Sequence, residues 1–154
     1  MIIISEYAFN PIQLVEPNQN VLLNTVIPCN KGYVFHRESA GIVILRGIVN
    51  CPQACFARYQ VTFNANIALV DGATVGPISV ALAIDGEPIQ TSRAIITPAA
   101  VDEYGNVTST AIITVPKGCC FTVAVENTSA PAAPGDAAPE INVQNANLVV
   151  SRIA

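Results

Sequence analysis

Between residues 57 and 69 the chain alternates strictly, with Tyr59, Val61, Phe63, Ala65, Ile67 and Leu69 at one set of positions and Arg58, Gln60, Thr62, Asn64, Asn66 and Ala68 at the other. Successive side chains of a strand point to opposite faces, so this period of two predicts one long strand with an apolar face and an amide and hydroxyl face. A solvated sheet face usually recruits Lys and Glu. After Arg58 this one carries no charge, which predicts that it meets another protein surface.

The same reading extends along the chain. Residues 20–27 read as a strand ended by Pro28, with a turn at Asn30-Lys31-Gly32 and a short strand at 33–36. Residues 41–49 are β-branched and bounded by glycine, a buried strand expected to pair with 57–69 across the 50–55 loop. The stretch 77–84 closes on Asp85-Gly86, a hairpin signal, and 88–100 reads as the next strand. After a turn at 102–106, residues 107–115 form a strand whose Thr108, Thr110, Ile112 and Thr114 face is again uncharged, stopped by Pro116-Lys117-Gly118. Residues 119–127 are strand-like, 128–139 form a loop rich in Pro, Ala and Gly, and 141–153 a last long strand carrying Asn142, Gln144, Asn145 and Asn147. No segment has helical periodicity. Strands about ten residues apart with turn signals between them predict an all-β fold, an antiparallel two-sheet jelly-roll sandwich. Residues 1–18, with an apolar run, Tyr7, Phe9, Pro11 and Pro17, read as an N-terminal arm or docking segment ahead of a jelly-roll domain at 19–154.

Composition narrows the function. Only 12% of the 154 residues are charged against roughly a quarter in typical soluble proteins, while 51% are hydrophobic, so much of the surface is neutral and favours assembly. A net charge of −4, with seven scattered Lys and Arg, argues against nucleic acid. The first residues lack a cationic n-region, so no Sec-type export is expected, and no apolar stretch approaches the roughly 20 residues that span a bilayer. Five cysteines (Cys29, Cys51, Cys55, Cys119 and Cys120) leave at least one unpaired within a chain. Reduced, buried thiols and synthesis in a reducing cytoplasm fit best, ahead of a Cys51–Cys55 disulfide or a metal site, because the CxxC zinc spacing is absent.

Candidate chemistry is sparse. His36, the single histidine, precedes Arg37-Glu38, but sequence neighbours on a strand point apart, and one histidine cannot supply a cupin metal site. No enzyme, metal or cofactor is therefore expected. Asp102-Glu103 with Asp85 or Asp71 could offer oxygen ligands to calcium, yet acidic residues are ordinary in turns. The sequons Asn106-Val107-Thr108 and Asn127-Thr128-Ser129 carry little weight without an export signal.

The order of elements is more telling than any one motif. Gln19-Asn20-Val21 with Leu23-Asn24, Ile42-Val43-Ile44-Leu45, Tyr59-Gln60-Val61-Thr62-Phe63-Asn64, Val80-Ala81-Leu82-Ala83-Ile84-Asp85-Gly86, Val115-Pro116-Lys117-Gly118 and Ala146-Asn147-Leu148-Val149-Val150 follow one another across residues 18–154. In this order the chain resembles the tumour-necrosis-factor and C1q-like jelly-roll superfamily, particularly its bacterial and phage forms, including the C-terminal domain of exosporium collagen-like proteins. It departs from that pattern in having no Gly-X-Y stalk and no acidic cluster like the calcium sites of some C1q-like heads. The resemblance implies a homotrimer whose inner sheets pack around a threefold axis. Gln60, Thr62, Asn64 and Asn66, with Thr110 and Ile112, are the candidate interface. The expected function is that of a trimeric phage capsid decoration or head-fibre protein, placed on the virion surface after assembly in the host cytoplasm. Ile2, Ile3, Ile4, Tyr7 and Phe9 would dock it to another structural component such as a capsid protein. A spore-surface (exosporium-like) trimer is one alternative. The other is a receptor- or glycan-recognition module acting through loops 128–139 or 50–55, which the near absence of aromatics there disfavours.

Overall fold

The computed structural model describes residues 3–28 and 32–154; Ile2 and Cys29 lie outside them. Twelve strands are present among the described residues: β1 (Ile4–Phe9), β2 (Gln13–Val15), β3 (Thr25–Ile27), β4 (Val34–Arg37), β5 (Ile42–Arg46), β6 (Phe56–Leu69), β7 (Ile78–Ile84), β8 (Glu87–Pro88), β9 (Ala94–Ile96), β10 (Gly105–Pro116), β11 (Cys120–Asn127) and β12 (Ile141–Arg152). They form two antiparallel sheets. The first has the order β10-β6-β12-β1-β3, with β2 also on β12; the second has the order β4-β5-β11-β7-β8, with β9 also on β7.

The alternation of residues 57–69 becomes the spine of this sandwich. On β6, Ala57, Tyr59, Val61, Phe63, Ala65, Ile67 and Leu69 are all fully buried between the sheets. Opposite them lie Val43, Leu45, Ile78, Val80, Leu82, Val123 and Val125 of the second sheet. Each large side chain so buried stabilises the fold by roughly 1.5–3 kcal/mol. Tyr59 keeps its hydroxyl satisfied in this setting by donating to the Arg46 carbonyl at 2.6 Å. Along β12 the buried set shifts phase, from Ile141 and Val143 to Ala146, Leu148 and Val150. A bulge between Gln144 and Asn147 absorbs the extra residue, and Asn145 takes φ 53° there, a left-handed conformation that asparagine tolerates.

Four expectations are corrected. Residues 41–49 do not pair with 57–69: β5 lies between β4 and β11, and β6 between β10 and β12. The intervening segment crosses from one sheet to the other, packed so closely at Gly47 that a Cβ there would stand 1.9 Å from the Pro116 carbonyl oxygen. Residues 88–100 are not one strand, because a 3₁₀ turn at Gln90–Ser92 separates β8 from β9. The buried Ser92 hydroxyl holds that turn by donating to Ile89 O at 2.7 Å. Residues 20–27 also divide: Val21 N donates to Val125 O of the second sheet at 2.8 Å, while β3 pairs with β1 in the first.

The fourth correction concerns the N-terminus. β1 pairs with β12 along its whole length, from Ile4↔Ser151 to Phe9↔Ala146, and β2 extends the same strand's other end. Tyr7 is 1% exposed, its ring 4.6 Å from that of His36 on β4. A strand with two hydrogen-bonded neighbours and a core tyrosine is part of the domain, so residues 4–15 are no separable arm.

Candidate functional site

The outward face of the first sheet gathers the polar half of every alternating strand. Because the ladders are antiparallel, its rows can be read directly from the register. Ile112, Gln60, Ser151 and Ile4 lie side by side. Thr110, Thr62, Val149, Glu6 and Ile27 form the next row, and Thr108, Asn64, Asn147, Ala8 and Thr25 the one after. Asn106, Asn66 and Gln144 follow. Gln60, Thr62, Asn64, Asn66, Thr110 and Ile112 are thus brought together on one surface, with Ile112 at 64% exposure.

The amides and hydroxyls of this surface already bond to one another. Asn106 is the hub: its Nδ2 donates to Asn64 Oδ1 at 2.9 Å and to Asn66 Oδ1 at 3.2 Å. Thr108 also donates to Asn64 Oδ1, at 2.9 Å, and the Thr62 and Thr110 hydroxyls pair at 3.0 Å. Asn66 Nδ2 reaches Asn145 Oδ1 at 3.3 Å, and Asn145 in turn donates to Asn10. Two charges belong to these rows. Glu6 accepts from Asn147 Nδ2 at 3.3 Å, and Arg58, at one end, donates to Thr114 at 3.4 Å with its guanidinium 4.5 Å above the Phe56 ring. Beside Glu6, Asn147 Oδ1 is buried with no hydrogen-bond partner among the described residues. Asn10, Asn106 and Glu6 are missing from the sequence-based interface set. Asn106 reads there as a turn residue and as part of a sequon, and the other two precede the first recognised strand.

The proposed docking residues separate. Ile3, at 7%, and Tyr7 are buried in the chain's own core, and neither side chain can reach a lattice while β1 stays in the sheet. Ile4, 52% exposed, lies on the outward face beside Ser151, and Phe9 is half-buried.

Other chemistry is dispersed. Cys51, Cys55, Cys119 and Cys120 are free and exposed, which corrects the expectation of buried thiols. Cys51, Cys55 and Cys119 sit on two loops and Cys120 opens β11 beside them, the two loops tied together where Lys117 N donates to Cys55 O at 2.9 Å. Among the described residues no three His, Cys, Asp or Glu side chains are placed to hold a metal ion. Asp85 is committed to Thr122, accepting from its backbone N–H and its hydroxyl at 2.9 Å each. Asn127 of the second sequon is fully buried and donates to Val15 O and Pro139 O, both at 3.1 Å. A cleft of about 350 Å³ between 70–74 and 132–140 is edged by Asp71, Asp136 and Glu140 and holds no aromatic ring. On β11, burial and then the nearby Glu87 carboxylate push Glu126 above the usual carboxylate range.

No family model matches the chain, and no curated protein matches it. Solved structures do. The globular domain of the zebrafish complement 1qA protein aligns over 100% of this chain and 98% of its own at TM-score 0.67 and 14% identity. Eiger TNF from S. frugiperda aligns over 99% and 93% at TM-score 0.65 and 13% identity. Murine APRIL at pH 5.0 aligns over 99% and 100% at TM-score 0.60 and 11% identity. At these identities the likeness establishes the fold, a jelly roll of the tumour-necrosis-factor and C1q type.

Proposed function

We propose that the chain is a non-enzymatic structural subunit that assembles as a homotrimer through the outward face of its first sheet and decorates the surface of a virion, as a phage capsid decoration or head-fibre protein does. One observation carries this reading: a broad sheet face, solvated in the single chain, that is almost free of charge and whose amides and hydroxyls are already bonded to one another. Side chains held in place before association lose less freedom on binding, and neutral groups escape the repulsion that three copies of one charge would suffer around an axis. The jelly-roll resemblance supports the same surface, because it implies inner sheets packed around a threefold axis. Four exposed thiols among the described residues suit assembly in a reducing cytoplasm.

The particle assignment is tested by mass spectrometry of purified virions from the host that makes the chain. The polypeptide is expected there in a copy number divisible by three. Its absence from virions and recovery in a spore-surface fraction would replace the virion with the spore.

A further inference from the structure

Ladder bonds of an antiparallel sheet run perpendicular to the strands, so directly opposite residues share a height along them. On the first sheet, the row Ile112, Gln60, Ser151, Ile4 therefore begins and ends on an isoleucine at one height. Ile112 is 64% exposed on edge strand β10 and Ile4 52% exposed on β1, with the equally open Ile27 in the adjoining row on β3. Between these apolar margins lies the polar field. Single exposed isoleucines are ordinary; two margins matched in height across one neutral face are a complementary pair.

A closed ring of three subunits uses heterologous contacts, in which one margin of each copy meets a different surface of the next. Rotation about an axis along the strands leaves every height unchanged. We propose that Ile112 of one copy seats against Ile4 and Ile27 of the next, so that the strip on β1 and β3 receives a second copy of this chain and not a component of the particle. This rests on the trimer reading above and adds its register. The same rotation brings the Thr110 and Thr62 hydroxyls of one copy to the height of Glu6 on the next. A hydroxyl that turns its proton from its partner in the single chain complements an acceptor-only carboxylate. Arg58 lies two rows from Glu6, opposite Thr114, so in this register Glu6 meets hydroxyls and not the guanidinium.

The test places a benzophenone amino acid at position 112 of the full chain, mixes isotopically light and heavy copies, irradiates, and maps cross-linked peptides. Mixed-isotope cross-links from residue 112 to residues 4–9 or 25–27 are the expected result. In parallel, Ile112→Lys and Ile4→Glu should each weaken assembly at least tenfold, while the double variant recovers most of the loss. A wild-type trimer whose cross-links fall on β10 or on the second sheet overturns the register and leaves the trimer standing. A wild type that sediments as a monomer overturns both. A trimer insensitive to Ile4→Glu, in which that change abolishes only attachment to the particle, assigns the strip to the particle and also overturns the proposal.

Discussion

The two outward faces of this sandwich are built by the same alternation and finished differently. On the second sheet the outward positions of β7 are small, β11 adds Ala124 and Glu126 beside them, and all of these are buried within the single chain. Ser79, Ala81, Ala83 and Ala124 are all buried, and Arg93 reaches across to donate to Ser79 Oγ at 3.0 Å and Thr128 O at 3.1 Å. On the first sheet the outward positions of β6 and β10 carry Gln60, Thr62, Asn64, Thr108 and Thr110, all exposed or half-buried, and no segment among the described residues covers them. Small side chains suit a face closed within the monomer. Medium-sized amides and hydroxyls, cross-bonded and uncharged, suit a face closed by another copy.

Putting a charge on each face should separate the two most sharply. Ala81→Asp places a carboxylate under the covered face and is expected to cost at least about 3 kcal/mol of monomer stability, since a buried unpaired charge is among the most damaging single changes. A denaturation midpoint close to wild type would show that face to be open. Asn64→Asp should behave in the opposite way. Asn64 Oδ1 serves as an acceptor for Asn106 and Thr108, a role a carboxylate retains, so the fold survives. Three like charges brought together then weaken assembly at least about tenfold in a concentration series followed by sedimentation. An unchanged oligomer would remove β6 from the interface.

A smaller effect probes Glu126, the carboxyl buried beside Ala81 on the covered face. Burial raises Glu126 in the folded state above its unfolded value, so the folded chain holds this proton to higher pH. The corresponding stability is present below the unfolded pKa and is lost as pH rises through the folded one. Glu126→Gln should therefore flatten that loss, leaving the variant more stable than wild type at neutral pH and closer to it in acid. Parallel melting curves against pH check this; a wild type that gains relative to the variant as pH rises would invert the assignment. The least perturbing measurement is a thiol titration of the native protein, in which Cys51, Cys55, Cys119 and Cys120 should react without denaturant. Protection of Cys119 and Cys120 until unfolding would place that end of the sandwich in a contact.

Much of this was legible in the sequence, for a local reason. Strand periodicity needs no partner to be seen, and the alternation over 57–69, the hairpin at Asp85-Gly86 and the long last strand all reappear as β6, the β7–β8 turn and β12. Pairing was less legible. Nothing in residues 41–49 says that the following loop crosses to the other sheet, and the usual expectation that sequential strands are neighbours misleads there. The N-terminal segment was misread for a related reason: Pro11 and Pro17 suggested an arm, while the pairing that fixes β1 comes from β12, nearly the whole chain away. Within the candidate site, outward residues of the two recognised long strands could be chosen by parity alone. Asn106 could not, because its importance lies in reaching across to Asn64 and Asn66, a cross-strand geometry that the chain does not display until β6 and β10 are in register. The thiols were expected to be buried on composition; the loops at the end of the sandwich and the exposed first residue of β11 carry them.

Whether copies of the same chain close the open face is read from the mass of the purified protein in solution. Light scattering at micromolar concentration should give three times the 16.2 kDa chain mass. A mass of 16.2 kDa, constant with concentration, would leave the face open and rule out the trimer.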